Sequence, residues 1–211
     1  MLQGRTFDMP AFLILLLSML AFGCRAQMTD ALAEKFRAIS DYKKIRAEFV
    51  QTRHLKDLDM EVKILGEMVC EKKGRLRWEV KSPVRSVTVI GGEELRHRDL
   101  ETGKTAVIRT GKFPWLQILR DCLTDWISGD PDQLGTRFEL QVKDAHTLRL
   151  LPKTARLKTI FKAVEIRADA AFRTIESIGI DEISGDRLEI RFFNVRKNPV
   201  LPEKLWQVPS S

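Results

Sequence analysis

The sequence has few of the residues from which catalytic and metal sites are built. Its 211 residues include three histidines, three cysteines and one tyrosine. His54, His97 and His146 stand apart, without metal-ligand spacing to one another or to a cysteine. No serine-nucleophile elbow, zinc-protease helix or glycine-rich phosphate loop is present. We predict no catalytic residue, no metal site and no cofactor, and thus no enzyme; a hydrolase would need a site assembled from several strands.

Aromatic residues are also scarce beside the basic clusters. The chain carries 36 Lys and Arg against 29 Asp and Glu, a formal charge of +7. The basic residues cluster at 72–77 and 96–98, but the nearest aromatic residue, Trp78, alternates with Arg75 and Arg77 and faces away from them. Nucleic-acid binding needs basic and aromatic groups on one surface. We therefore expect no nucleic-acid partner. The clusters are either a solvated strand face or a surface for acidic proteins or anionic membranes.

Long apolar runs are missing except at the amino terminus. Ala11 to Phe22 is apolar, but it is shorter than the roughly 20 residues that span a bilayer, and Arg5 precedes it. This layout predicts a signal peptide over residues 1–26 and a mature domain over residues 27–211. Cleavage after Ala26 would release a soluble periplasmic protein, the outcome that we favour. The alternative is a lipidated Cys24 in the outer membrane, although Ala21 and Phe22 depart from the usual lipidation motif.

Two cysteines remain in the mature chain. Cys70 ends an alternating apolar segment, and Cys122 lies in a predicted helix. An exported protein reaches an oxidising compartment, where the two could form a disulfide. They could equally be small buried apolar residues.

Hydrophobic periodicity predicts one domain that is mainly β with some α structure. Residues 29–39 have helical spacing, as do residues 114–127, which end at a Gly-Asp-Pro stop in which Asp130 and Asp132 form a solvated turn. Period-two segments separated by turn signals predict about ten strands, mostly linked as hairpins. We expect a strongly curved antiparallel sheet, an incomplete β-barrel, covered by the two helices.

The predicted strands share one apolar face. We assign to it Met60, Val62, Ile64, Met68, Leu76, Trp78, Val80, Val87 and Val89. By periodicity alone this face is an ordinary core. If the sheet curves beyond what two helices can fill, the same residues would line a cavity for an acyl chain or sterol, where each buried CH₂ contributes about 0.8 kcal/mol.

Short segments along nearly all of the mature chain occur in a familiar order and spacing. They are Ile45–Thr52, Leu65–Glu67, Gly74–Glu79 with Pro83, Gly91–Gly92, Leu148–Lys153, and Ile190–Val195 with Asn198. This series resembles the LolA family, periplasmic carriers of outer-membrane lipoproteins. The resemblance implies an incomplete β-barrel with a lipid cavity, and a monomer. It also implies a lipoprotein or lipid cargo, an inner-membrane ABC exporter and an outer-membrane acceptor. A lipidated Cys24 would instead indicate the membrane-anchored acceptor LolB, which has the same fold.

The resemblance also assigns roles to individual residues. The residues expected to line or border the lipid cavity are Phe49, Met60, Val62, Ile64, Met68, Trp78 and Val80. The family carries an Arg-Pro pair before the tryptophan, and its arginine latches the lid; this chain has Lys72 and Lys73 there. Lysine lacks the planar fork of arginine, so Lys72 is a candidate gate residue with an altered latch. Such divergence is compatible with glycolipid or polyketide-type cargo.

Overall fold

The computed structural model describes residues 29–72, 74–92, 94–109 and 114–209. The predicted signal peptide, its cleavage site and Cys24 lie outside the described residues. Eleven strands form one antiparallel sheet: β1 Lys44–Leu55, β2 Met60–Glu71, β3 Arg75–Ser82, β4 Ser86–Gly91, β5 Glu94–Asp99, β6 Thr105–Arg109, β7 Phe138–Asp144, β8 Thr147–Pro152, β9 Phe161–Ala168, β10 Ile175–Glu182 and β11 Arg187–Lys197.

The order of the strands shows why the barrel is incomplete. It runs β6-β5-β4-β3-β2-β1-β11-β10-β9-β8-β7, so β6 and β7 are the two edges of an open sheet. Every neighbouring pair is antiparallel. The two halves of the sheet meet where β11 pairs with β1, and the chain crosses from one half to the other between β6 and β7. The prediction of an incomplete antiparallel barrel is confirmed, with eleven strands in place of about ten.

Four α-helices accompany the sheet in the described ranges: α1 Asp30–Ile39, α2 Pro114–Ser128, α3 Pro131–Arg137 and α4 Ala155–Lys158. The two predicted helices correspond to α1 and α2. Thr29 caps α1 by accepting a hydrogen bond from the Leu32 amide at 3.3 Å.

The predicted count of two helices missed the four-residue α4, and it missed α3 because the Gly-Asp-Pro stop also starts a helix. Asp130 accepts a hydrogen bond from the Asp132 amide and caps α3, with Pro131 in its first turn. Asp132 forms a two-point ion pair with Arg37, at 2.9 and 3.0 Å, that joins α3 to α1. The two acidic residues thus connect helices.

The core lies between the concave face of the sheet and the helices. Phe36 and Ile39 of α1, Trp126 of α2 and Leu134 of α3 are fully or almost fully buried there. Trp126 packs edge-on against Phe161 of β9, with ring centroids 5.4 Å apart. In β8 and β9 the apolar residues at alternate positions are buried, as the period-two pattern predicts: Leu148, Leu150, Val164 and Ile166.

The convex face carries a second, smaller buried region, beneath the end of the chain. Val89 lies opposite Arg77 in the β3–β4 register and Val87 lies opposite Glu79, whereas Trp78 lies opposite Thr88. Residues that lie opposite each other across a ladder share a face. The assignment of Val87 and Val89 to the concave apolar face was therefore wrong, because the turn between β3 and β4 reverses which residues of β4 face inward.

A C-terminal strap, residues 203–207, lies over this convex region. It begins with the 3-10 helix Glu203–Trp206, and Trp206 is 9% exposed. Arg77 is buried and donates hydrogen bonds to the Leu205 and Gln207 carbonyls at 3.0 and 3.1 Å. The Arg75 guanidinium stacks over the Trp206 ring at 4.5 Å. Two members of the first basic cluster thus hold the carboxyl end of the chain.

Candidate functional site: an apolar trough on the concave face

Burial changes steadily along the concave side of β2. Cys70 and Met68 are buried, Ile64 and Val62 are half-buried, and Met60 is 46% exposed. Since these residues lie an even number of positions apart along the strand, they all lie on one face of it. The helices therefore cover one end of this apolar row and leave the other end open.

Two aromatic rings form the floor beside this row. Phe49 of β1 and Trp78 of β3 stack with ring centroids 4.0 Å apart and planes 28° apart. The strand between them contributes Gly66, which lies opposite Phe49 in the β1–β2 register. A Cβ atom at Gly66 would lie 2.4 Å from Phe49 Cζ and 2.2 Å from the Glu79 carbonyl oxygen. The missing side chain at Gly66 is what lets the two rings meet across β2.

The structure brings together all seven residues that were expected to contact lipid. Phe49 and Met68 are buried, and Val62, Ile64, Trp78 and Val80 are half-buried, with Met60 exposed at the open end of the same face. We call this surface the apolar trough, and it consists of Phe49, Met60, Val62, Ile64, Met68, Trp78 and Val80. The sequence reasoning missed Gly66, although this residue belongs to one of the family-like segments.

The candidate gate residue Lys72 contacts the end of α1. Its Nζ donates a hydrogen bond to the Ser40 carbonyl at 2.8 Å. Lys197 of β11 donates to the neighbouring Ile39 carbonyl, also at 2.8 Å. Burial lowers the pKa of Lys197. Carbonyls at a helix carboxyl terminus lack helical partners and attract cations, so both lysines stabilise this end of α1. No sequence signal pointed to Lys197, which lies 158 positions from Ile39.

A polar cavity of about 420 Å³ lies next to Lys72. Tyr42, Cys70, Asp125 and Arg137 are among its lining residues. Arg137 of α3 forms an ion pair with Asp125 of α2. Burial raises the pKa of Asp125 to about 6, although the Arg137 charge acts in the opposite direction. The cavity therefore holds a carboxyl group that titrates close to neutral pH.

The raised pKa of Asp125 predicts a pH-dependent contribution to stability. Because the folded state holds this proton more tightly than the unfolded chain, the contribution is fully present below pH 3.8 and is lost as the pH rises through about 6. Asp125→Asn should remove this component. We expect the difference in unfolding free energy between variant and wild type, measured in urea from pH 4 to pH 8, to shift in favour of the variant as pH rises. A difference that does not change with pH would contradict the prediction.

Both described cysteines are free thiols. Cys70 and Cys122 are buried, and burial raises the pKa of each thiol to about 12. A thiol with such a pKa stays protonated at neutral pH and is a poor nucleophile. Of the two alternatives that the sequence left open, the structure shows buried apolar residues.

Within the described ranges, no helix has both the length and the apolar content needed to cross a bilayer. In the same part of the chain, no group of three or more His, Cys, Asp or Glu residues is placed to hold a metal ion.

Comparison with known protein families shows to which family the chain belongs. The family profile described as "Outer membrane lipoprotein carrier protein LolA" matches residues 40–209. The chain belongs to the LolA family. This match covers the whole sheet and includes the apolar trough and the C-terminal strap. The resemblance inferred from the short segments is confirmed, and the family is one of lipoprotein carriers.

Individual relatives are distant but similar in length. An outer-membrane lipoprotein carrier protein of Legionella pneumophila (strain Corby) is 23% identical over 197 residues, which cover 93% of this chain and 92% of the relative. The corresponding protein of strain Paris is 24% identical over 199 residues, with the same coverage.

A solved structure shows the same fold. An uncharacterized conserved protein from Thermus thermophilus matches 86% of this chain and 95% of its own, at 10% identity and a TM-score of 0.51. A LolA superfamily protein from Nitrosomonas europaea matches 87% of this chain and 99% of its own, at 11% identity and a TM-score of 0.45.

Proposed function

We propose that the protein is a periplasmic carrier that shelters the acyl chains of a lipoprotein, or of another lipid, in the apolar trough during transfer from the inner to the outer membrane. In this role it receives cargo from an inner-membrane ABC exporter and delivers it to an outer-membrane acceptor. Membership of a lipoprotein-carrier family supports the general class.

The gradient of burial along β2 is the observation that carries the proposal. Contiguous apolar surface that the helices leave uncovered is typical of a ligand-binding groove. Here Val62 and Ile64 are half-buried and Met60 is 46% exposed, on the same face as the stacked Phe49 and Trp78 rings. Burying such a surface against a lipid chain contributes about 25 cal/mol per Å² of apolar area. The trough is thus suited to an apolar guest that enters from its open end.

The contacts of Lys72 support a role for α1 as the lid. Lys72 and Lys197 bind neighbouring carbonyls at the end of this helix, and Arg37 joins the helix to α3. These are polar contacts near the surface, which can break and re-form without exposing a large apolar core. Lys72 takes the position of the family arginine and donates one bond to the Ser40 carbonyl, so we propose that it acts as the latch.

A charged residue placed in the trough should weaken lipid binding. Ile64→Asp puts a carboxylate on the half-buried apolar face, where an acyl chain would strip it of water. We expect its affinity for N-phenyl-naphthylamine, a fluorescent reporter of lipid cavities, to fall by about tenfold or more. Fluorescence titration of the purified mature protein measures this change.

The neighbouring residue provides a matched control. Leu65→Asp makes the same kind of change on the convex face, where Leu65 is 47% exposed. We expect this variant to bind the reporter as the wild type does. Equal loss of binding in both variants, or wild-type affinity in Ile64→Asp, would show that the trough is not the lipid site.

A further inference from the structure

The concave face changes from apolar to polar on β4 and β5, beside the trough. The registers place Met68, Trp78, Thr88 and His97 in one row across β2, β3, β4 and β5, all on the same face. Neighbouring strands are about 4.8 Å apart, so His97 lies about 10 Å from Trp78 across the sheet. One lipid molecule could therefore contact His97 with its polar head group while its acyl chain contacts Trp78.

Thr88 and His97 form a hydrogen-bonded pair. Thr88 Oγ1 and His97 Nδ1 lie 2.9 Å apart, and both residues are half-buried. This contact orients the imidazole so that Nε2 lies on the side of the ring away from Thr88. The next residue along the row, Ala106 of β6, is exposed, which shows that solvent reaches this part of the concave face.

The charges nearby narrow the kind of group that this pair would bind. Asp99 is the acidic residue on the same face of β5, and its carboxylate accepts hydrogen bonds from the Glu101 and Thr102 amides at 2.8 and 2.9 Å. Its Oδ1 atom is thus engaged in its own turn. Thr and neutral His side chains both donate and accept hydrogen bonds. Such a pair suits hydroxyl and ester groups better than a cationic amine.

We infer that Thr88 and His97 form a head-group site that binds the hydroxyl and ester groups of an acylglycerol-type lipid whose chain lies in the apolar trough. The inference rests on the proposed function, because it assumes that the trough holds the chain. It adds a preference for the polar part of the cargo. A hydrocarbon chain alone would gain nothing from these two residues.

Displacement of N-phenyl-naphthylamine by two ligands with the same chain tests the inference. We expect Thr88→Val and His97→Phe each to weaken binding of monodecanoylglycerol by about fivefold to tenfold, the range of one or two lost hydrogen bonds. Decane should displace the reporter equally well from both variants and from the wild type. Circular dichroism during thermal unfolding identifies the variants that fold, and either folded variant suffices for the comparison.

Thr52 and His54 supply matched controls, because they lie on the convex face of β1. Thr52→Val and His54→Phe should leave the binding of both ligands unchanged. If Thr88→Val and His97→Phe bind monodecanoylglycerol as tightly as the wild type, the head-group site is wrong and the carrier proposal stands. If the wild type binds neither the reporter nor the two ligands, the carrier proposal itself is contradicted.

Discussion

Gly66→Ala is expected to lower the free energy of unfolding by about 3 kcal/mol, the upper end of the usual cost of overpacking a core. The added methyl would lie 2.2 Å from the Glu79 backbone oxygen and 2.4 Å from Phe49 Cζ. The first contact is with backbone, which moves only if β3 shifts. Relief of the second requires the Phe49 ring to leave its stack with Trp78. Urea unfolding followed by circular dichroism measures the loss.

The same substitution should also weaken lipid binding, because the Phe49 and Trp78 rings form the floor of the trough. Gly179→Ala is the matched control, since Gly179 also lies within a strand, β10. A methyl there would meet Arg187 Nη2 at 3.1 Å, the end of a long and flexible side chain. We expect Gly179→Ala to be neutral or slightly stabilising, because alanine restricts the unfolded chain. Equal stability of the two variants would contradict this account of Gly66.

Trp206→Ala is expected to lower the free energy of unfolding by about 3 to 5 kcal/mol, as for other buried tryptophans. The side chain is almost fully buried although it lies close to the end of the chain. Its ring packs under the Arg75 guanidinium, and the cavity beside it is lined by Val89 of β4. Loss of the ring should free the C-terminal strap and expose Val87 and Val89 to water. Urea unfolding again measures the change.

Val200→Ala is the control for the strap. Val200 lies a few residues before the strap and is 99% exposed, so truncation should change the unfolding free energy by less than about 0.5 kcal/mol. If Trp206→Ala is equally neutral, the strap does not stabilise β3 and β4. Retained trough binding in a destabilised Trp206→Ala protein would agree with the position of the strap on the opposite face of the sheet.

The strap accounts for part of the basic excess. Arg75 pairs with Glu71 and Glu203, and Arg77 pairs with Glu79 and two strap carbonyls. On the other half of the convex face, Glu165 lies among Lys143, Arg149 and Arg187, whose charges lower its pKa against the effect of burial. These cations have intramolecular partners. Binding to acidic proteins or anionic membranes stays a prediction for the remaining basic residues.

Predictions from period-two patterns succeeded wherever one strand was considered by itself. The alternation in β2 identified its concave residues correctly, because successive side chains of a strand point to opposite faces. The pattern failed at β4, where Val87 and Val89 are as apolar as core residues but lie under the strap. Alternation identifies which residues of a strand share a face. It does not show which face packs against the helices, because the turn before each strand sets its register with the preceding strand.

The spacing of the apolar residues was enough to indicate a curved antiparallel sheet, and the order of short segments that resemble the LolA family was enough to indicate the family. The sequence also predicted local features such as the cap Thr29 at the start of α1. Only the tertiary structure decided how far the helices cover β2, that Gly66 lets two rings stack, and that Arg77 holds a strap 128 positions away. These features depend on contacts between segments that are distant in the sequence. The geometry of such contacts follows from the curvature and register of the sheet, and it produces no periodic pattern in the sequence.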